Sequence, residues 1–247
     1  MNRLRYCAVA LAGATCLAFA MGGTAGAQVD QDNGGASGLS ASLNLPIVGT
    51  VNIPPTPNVN LPPLGGSVHE NVVSLDVPHV VSAAVLDVQS NGTTGPGGSV
   101  TSAADVATAN VLEDTVTADV VHSDCLSDES GSSGNSALVD ASVAGNPIEV
   151  SPPANTSIPV PAVGTVILNE QQESNAPGST SIVVNAVHVA LDGIAGTGDV
   201  IVSQSRCGVA GAAVLGETVT RGSGAGGVSE AGPAAASAIG SNPNLAG

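Results

Sequence analysis

The feature that most constrains the fold is a succession of short, valine-rich runs between residues 39 and 210. Valine, threonine and serine dominate these runs, and glycine, proline and asparagine interrupt them at short intervals. β-Branched residues favour half-buried strands, whereas the interrupting residues favour turns. No window here combines a sustained helical period with helix caps. We therefore predict one all-β domain over residues 39–210, an antiparallel β-sandwich of about nine strands, with a β-barrel or a β-roll as the alternative.

The candidate strands are the segments between these interruptions. They lie near residues 40–53, 67–76, 79–89, 99–111, 115–124, 136–144, 157–168, 180–191 and 199–206. In residues 136–144 side chains alternate, which predicts a buried face and a solvent face. The predicted buried face contains Ala137, Val139, Ala141 and Val143, and the predicted solvent face contains Ser136, Leu138, Asp140 and Ser142. Residues 180–191 are apolar on both faces, so we predict a central strand.

The core has to be built without aromatic side chains. Tyr6 and Phe19 are the only aromatic residues, and both lie in the first 27 residues. Valine, isoleucine, leucine and alanine must therefore form the core, and their small side chains would let two sheets lie close together. Outside those first residues the cysteines are Cys125 and Cys207. We predict that they form one structural disulfide rather than remain as two free thiols.

The two ends of the chain differ in composition from the middle. Residues 1–27 combine two arginines, an apolar run and a small-residue cleavage site, which predicts a secretory signal peptide removed after Ala27. We expect residues 28–38 to be a flexible leader and residues 211–247 to be a disordered tail rich in Gly, Ala and Ser. The apolar run is shorter than the roughly 20 residues of a membrane span. The sequence therefore predicts a secreted, extracellular chain, free or associated with the cell surface, with no membrane span after cleavage.

The charge of the expected mature chain excludes several partners. Beyond residue 27, only Arg206 and Arg221 oppose 20 acidic residues, which gives a formal charge of −18. Phosphate backbones and anionic lipid surfaces are bound mainly through Lys and Arg, and single-stranded nucleic acids also through aromatic stacking. We therefore predict no nucleic-acid binding, and we leave the extracellular or cell-envelope partner unidentified.

No motif in the sequence indicates catalysis. The chain has no G-x-S-x-G element and no lysine, so neither a nucleophile elbow nor a Ser-Lys dyad is present. The four histidines, at positions 69, 79, 122 and 188, lack the short spacings of metal sites. Asp124, Asp128 and Glu129 could gather calcium, but they lack EF-hand spacing, and we expect a solvated loop. We predict no catalytic residue, no cofactor and no metal.

The most polar cluster, residues 169–173, lies between two strand candidates. It precedes an Asn-Ala-Pro-Gly sequence typical of turns, so we predict that it forms the polar end of a strand and the start of its connection. Asn169 and Glu170 would then hold backbone donors. The alternative is an enzymatic or ligand-binding site on a sheet face, which would require groups such as Glu170, His188 and Asp140 to line one cleft.

Several segments resemble those of a known family. NPIEVSPPANTSIPVPAVGTVILNEQ, STSIVVNAVHVALDG and GDVIVSQSRCGV are similar to the choice-of-anchor P family of exported actinobacterial surface proteins, as are ENVVSLDVPHVVSAAVLDV, VTADVVHSDC and GNSALVDASVAG. The resemblance covers roughly residues 40–210. It implies an exported β-rich domain on a Gram-positive, high-GC organism, and no activity. Cys125 and Cys207 match positions where similar sequences place cysteines, but the C-terminal anchoring signal of the family is not expected here.

These observations favour a non-enzymatic structural or interaction domain that is secreted or associated with the cell envelope. The alternative is a secreted enzyme or ligand-binding module with an acidic or histidine site on a sheet face.

Overall fold

The computed structural model describes residues 28–211, which contain sixteen β-strands. The predicted signal peptide and all but the first residue of the predicted tail lie outside the described residues. The strands are β1 (Gln31–Asp32), β2 (Gly35–Leu45), β3 (Gly49–Asn60), β4 (Gly66–Val72), β5 (Leu75–Val77), β6 (Val81–Ala83), β7 (Val85–Thr93), β8 (Ser99–Val111), β9 (Val116–Asp128), β10 (Gly131–Val139), β11 (Ser142–Val143), β12 (Asn146–Pro147), β13 (Thr156–Val160), β14 (Gly164–Ala176), β15 (Ser179–Leu191) and β16 (Thr197–Ala210). In this part of the chain no helix is long and apolar enough to cross a membrane.

The strands form two antiparallel sheets, and the prediction of an all-β sandwich is confirmed. The first sheet has the order β13-β14-β15-β16-β2-β3, with β1 also beside β16. The second has the order β12-β11-β9-β8-β6-β5, with β10 also beside β9, β7 also beside β8, and β4 beside β7. The strand segments outnumber the predicted strands because several candidates are interrupted. Residues 157–168, for example, contain a turn between β13 and β14.

Residues 28–38 are part of the fold, so the prediction of a flexible leader is wrong. β1 pairs with β16, and β2 begins at Gly35. The glycines that suggested flexibility are needed where chain segments approach closely. A Cβ atom on Gly35 would lie 2.7 Å from the Val59 carbonyl oxygen, and one on Gly38 would lie 2.8 Å from Leu86 Cδ2. Contacts this short exclude any larger residue unless the neighbours move.

The core is aliphatic, and the sheets lie close enough for hydroxyl groups to reach across it. Ser203 in the first sheet donates to the Ala104 carbonyl oxygen in the second at 2.7 Å, and Ser102 donates in the opposite direction to the Arg206 carbonyl oxygen at 2.8 Å. These serines satisfy buried polar groups while filling little volume. The largest fully buried side chains include Leu39, Leu43, Leu86, Leu138, Leu168 and Ile182.

The predicted disulfide is confirmed. Cys125 in β9 and Cys207 in β16 are bonded, with their Cα atoms 5.8 Å apart, and both residues are buried. The bond joins the second sheet to the first. It therefore links the two layers directly, in a domain whose core lacks aromatic side chains.

The predicted faces of residues 136–144 are wrong in their first half. Ser136 and Leu138 are buried, whereas Val139 is 40% exposed. Asp140 then adopts a positive φ of 46°, which interrupts the strand between β10 and β11. The alternation restarts after this residue, so Ala141 and Val143 are buried as expected. The alternating sequence of residues 136–144 therefore includes a point, at Asp140, where the buried set of side chains switches from even to odd positions.

β15 occupies the central position predicted for residues 180–191, between β14 and β16. Its neighbours each contain a residue with positive φ, Asn169 at 50° and Ser203 at 58°. Both lie opposite Ala186, where one residue pair is missing but the register is the same on either side. The alternation of buried and exposed side chains changes face at this level without an inserted residue. This change of face directs a group of polar side chains to the outside of the first sheet.

Candidate functional site

Residues 169–173 lie in the polar end of strand β14, as predicted, but the connection to β15 starts only after them. β14 continues to Ala176, and the turn consists of Pro177 and Gly178, which has a φ of 79°. The polar segment remains extended because β15 provides a partner along its whole length, from Glu170 opposite Asn185 to Ala176 opposite Ser179. Backbone pairing therefore keeps the polar residues in the strand up to the Asn-Ala-Pro-Gly sequence, where the turn occurs.

Asn169 has the opposite hydrogen-bonding role from the one predicted. Its buried side chain donates from Nδ2 to the Pro152 carbonyl oxygen at 3.0 Å and accepts from Gln171 Nε2 at 3.0 Å. Asn155 in the preceding loop accepts from the Gln171 backbone N–H at 2.9 Å. Asn169 therefore holds the loop before β13 against β14 by donating to a backbone acceptor, which indicates a structural role.

Glu170 is the centre of a polar network on the outer face of the first sheet. Its Oε2 atom accepts from Asn185 Nδ2 at 2.6 Å and lies 3.0 Å from His188 Nδ1. His188 Nε2 lies 2.9 Å from Asp199 Oδ1, and Gln204 Nε2 donates to Asn185 Oδ1 at 2.8 Å. We call these five residues the Glu170 network. It connects β14, β15 and β16, and its Glu170 and His188 side chains are only 15% and 16% exposed.

The structure brings together two of the three groups that an enzymatic or binding site would require. Glu170 and His188 meet, but Asp140 lies between β10 and β11 of the second sheet and has no hydrogen bond or ion pair to either of them. Both ring nitrogens of His188 face carboxylates, and only a protonated imidazole can donate from both. No hydroxyl or thiol of the described residues is bonded to this histidine. The arrangement therefore places no hydroxyl or thiol at this histidine, and it can act as a cross-strand clamp.

A second histidine on the opposite face of the sandwich is also held by two carboxylates. His122 Nδ1 in β9 lies 2.8 Å from Asp105 Oδ1 in β8, and its Nε2 lies 3.3 Å from Asp124 Oδ1. The hydrogen bond with Asp105 raises the pKa of His122, and the charges of both aspartates add to this effect, while partial burial opposes it. Sequence analysis missed this pairing, because the register that places Asp105 opposite His122 is not readable from spacing.

The remaining two histidines are paired too. His69 Nε2 lies 2.8 Å from Asp87 Oδ2, and His79 Nδ1 lies 2.6 Å from Glu113 Oε1. The described histidines are therefore all engaged with carboxylates.

The acidic residues weighed for calcium do not converge. Asp124 pairs with His122, whereas Asp128 Oδ1 accepts from the Ser130 backbone N–H at 2.7 Å. Hydrogen bonds from the side chain and backbone of Ser130 hold the pKa of Asp128 below its usual value. Across residues 28–211, no group of three His, Cys, Asp or Glu side chains is arranged to hold a metal ion.

One end of the sandwich exposes large aliphatic side chains. Ile47 and Val48, in the turn between β2 and β3, are 96% and 49% exposed, and Ile194, between β15 and β16, is 85% exposed. They lie around a cleft of about 750 Å³, also lined by Leu45, Leu112 and Val163. We call this surface the apolar end. The apolar end was not predicted from the sequence, because its residues come from separate turns, each with only one or two apolar residues between Gly or Pro.

Residues 28–211 therefore form an antiparallel β-sandwich with one inter-sheet disulfide, two histidines that are each held by two carboxylates, and an apolar end. Comparison of the chain with models of protein families, with characterised proteins and with solved structures gave no match.

Proposed function

We propose that this chain is a non-enzymatic interaction domain, secreted or associated with the cell envelope, that contacts its partner through the apolar end. The observation that carries the proposal is the exposure of Ile47, Val48 and Ile194 around one cleft. Single exposed aliphatic residues are common, but several around one concavity are typical of an interaction surface. Loops at one end of a rigid sandwich are also a frequent location for binding residues.

The polar clusters support a non-enzymatic role. In the Glu170 network the carboxylate of Glu170 accepts from Asn185 and lies beside His188, and both His188 nitrogens face carboxylates. His122 is held in the same way by two aspartates. Groups that satisfy one another across neighbouring strands stabilise a sheet, because opposite charges on paired strands attract. They present no unpaired base or nucleophile to a substrate.

Export is supported by the sequence of residues 1–27 and by the disulfide. A buried bond between Cys125 and Cys207 is typical of proteins that fold in oxidising compartments. Membership of the choice-of-anchor P family is part of this proposal and rests on the segments quoted above. It would place the domain on the surface of a Gram-positive cell.

Fractionation of a native culture into medium, wall and membrane, with the intact mass of the chain in each fraction, tests localisation. We expect the chain outside the membrane, cleaved before Gln28 and lighter by the two hydrogens of a cystine. Retention in the wall fraction should fall in the Ile47→Ser/Ile194→Ser variant. It should not change in the control Val73→Ser/Val150→Ser, whose two valines are 80% and 57% exposed elsewhere.

The proposal would be abandoned if an uncleaved chain remained in the cells. It would also fail if the two double variants behaved alike.

A second candidate is a ligand-binding or catalytic site on the outer face of the first sheet, favoured by the approach of Glu170 to His188. If Asp199, which is 59% exposed, moved aside, His188 Nε2 would become available as a base oriented by Glu170. Chromogenic esters and glycosides would test this candidate. It predicts turnover that is lost in Glu170→Gln, whereas the interaction role predicts no turnover by either protein.

A further inference from the structure

Acidic residues lie in the turns that form the apolar end. Glu113 and Asp114 lie in the turn between β8 and β9, and Asp192 begins the turn between β15 and β16; all three are exposed. Glu113 lines the cleft itself. Among residues 28–211 the single Lys or Arg is Arg206, which lies towards the other end of β16. The cleft therefore has an aliphatic lining, and its acidic margin consists of Glu113, which is paired with His79, and of Asp114 and Asp192 in the adjoining turns.

We propose that the apolar end binds a basic amphipathic segment of a partner protein. Aliphatic or aromatic side chains of that segment would occupy the cleft and remove Ile47, Val48 and Ile194 from water. Flanking lysines or arginines would lie beside the acidic margin. The inference rests on the proposed function and adds to it the chemistry of the partner.

Charge favours this partner over the two obvious alternatives. A second copy of the chain would bring together two surfaces of like sign, because each expected mature chain carries a formal charge of −18. An anionic membrane would be repelled for the same reason. A basic segment, in contrast, is attracted over a distance of about a Debye length, roughly 8 to 10 Å at moderate salt.

Both ends of the described chain lie far from the cleft. The Gly211 backbone N–H donates to the Gly178 carbonyl oxygen in the turn between β14 and β15. That turn and Ile194 lie at opposite ends of β15, which has 13 residues and a length of about 40 Å. Val29, near the other end of the described chain, pairs with Gly95 and also lies far from the cleft.

The probe for a test is a short, fluorescein-labelled amphipathic peptide made only of leucine and lysine, added to the full mature chain and followed by fluorescence anisotropy. Two matched peptides replace lysine with glutamate or leucine with serine. We expect the leucine–lysine peptide to bind at least about tenfold more tightly than either control. The Ile47→Ser/Ile194→Ser variant should lose at least about tenfold in affinity, whereas Val73→Ser/Val150→Ser should not.

A variant that keeps every apolar side chain tests the acidic margin separately. Glu113→Gln/Asp192→Asn should weaken binding of the lysine peptide and reduce its dependence on salt. The folded state of each variant is checked by far-UV circular dichroism, since these positions are exposed and lie in turns.

Three results would overturn the inference: equal binding of the lysine and glutamate peptides, unchanged binding by the Ile47→Ser/Ile194→Ser variant, or tighter association with phosphatidylglycerol vesicles or with a second copy of the chain. Equal binding of the two peptides, or tighter association with vesicles or a second copy, would still leave the proposed function standing if wall retention depends on Ile47 and Ile194. If retention does not depend on them, the proposed function fails whatever the peptide does.

Discussion

Removing the disulfide should lower stability by an amount that the fold allows us to calculate. The Cys125–Cys207 bond joins residues separated by 82 positions. In the chain-entropy model, closing a loop of this length restricts the unfolded chain and stabilises the fold by about 4.5 kcal/mol. Unfolding entropies near 2 cal/mol/K per residue, applied to the 28–211 domain, convert this value to a fall in Tm of about 12 °C.

The perturbation is the double variant Cys125→Ala/Cys207→Ala, because the buried bond is poorly accessible to reductant in the folded state. Far-UV circular dichroism during heating is a suitable assay, since residues 28–247 contain no aromatic fluorophore. A Val100→Ala variant in the same cluster of buried residues controls for lost packing. If the Tm of the double cysteine variant fell no further than that of Val100→Ala, the reasoning would be refuted. The bond would then not stabilise the domain by restricting the unfolded chain.

Three further predictions concern single residues. Because the pKa of His122 is raised in the folded state, the stabilisation that His122 provides is complete below pH 6.5, its usual pKa, and is lost as pH rises through the folded-state pKa. Chemical denaturation across this range should therefore show a fall in the free energy of unfolding with pH in the wild type and in His79→Asn. The same fall should be absent in His122→Asn. Gly134→Ala should destabilise the domain by about 1 to 3 kcal/mol, because the added Cβ atom would lie 2.4 Å from Val184 Cγ2. The control is Ser133→Ala, at the exposed neighbouring residue, which should change the free energy of unfolding by less than about 0.5 kcal/mol. Asn169→Ala should cost about 1 to 3 kcal/mol in urea denaturation, since it leaves the Pro152 carbonyl oxygen without its donor.

Each of these predictions has a contrary outcome. Equal pH slopes in the two histidine variants would mean that His122 is not specifically coupled to its aspartates. Equal stability of Gly134→Ala and Ser133→Ala would show that the sheets can separate without cost. A neutral Asn169→Ala would place the loop before β13 outside the cooperative unit.

Sequence patterns predicted the fold class and several strands because backbone propensity and turn residues act locally. β8 has the predicted bounds, residues 99–111, with Gly97 and Gly98 immediately before it. The same reasoning failed for residues 28–38, where long-range pairing with β16 overrides a flexible composition. Glycine indicates flexibility in sequence, but here it also marks close contact between layers.

The candidate site was less predictable than the fold. Glu170 and His188 were recognised as candidates, but their approach depends on the register of β14 and β15 and on the change of face near Asn169. His122 and Asp105 meet for a similar reason, through the pairing of β8 and β9. The apolar end depends on several turns meeting at one end of the sandwich. Composition alone contains none of this information.

Isoleucine methyl NMR on the full mature chain tests the central claim most directly, because isoleucines mark both candidate surfaces. Ile47 and Ile194 report on the apolar end, whereas Ile167 and Ile201 pair with His188 on the outer face of the first sheet. On addition of the leucine–lysine peptide, the account predicts shifts of the Ile47 and Ile194 methyl signals with little change at Ile167 and Ile201. Shifts confined to Ile167 and Ile201 would contradict it.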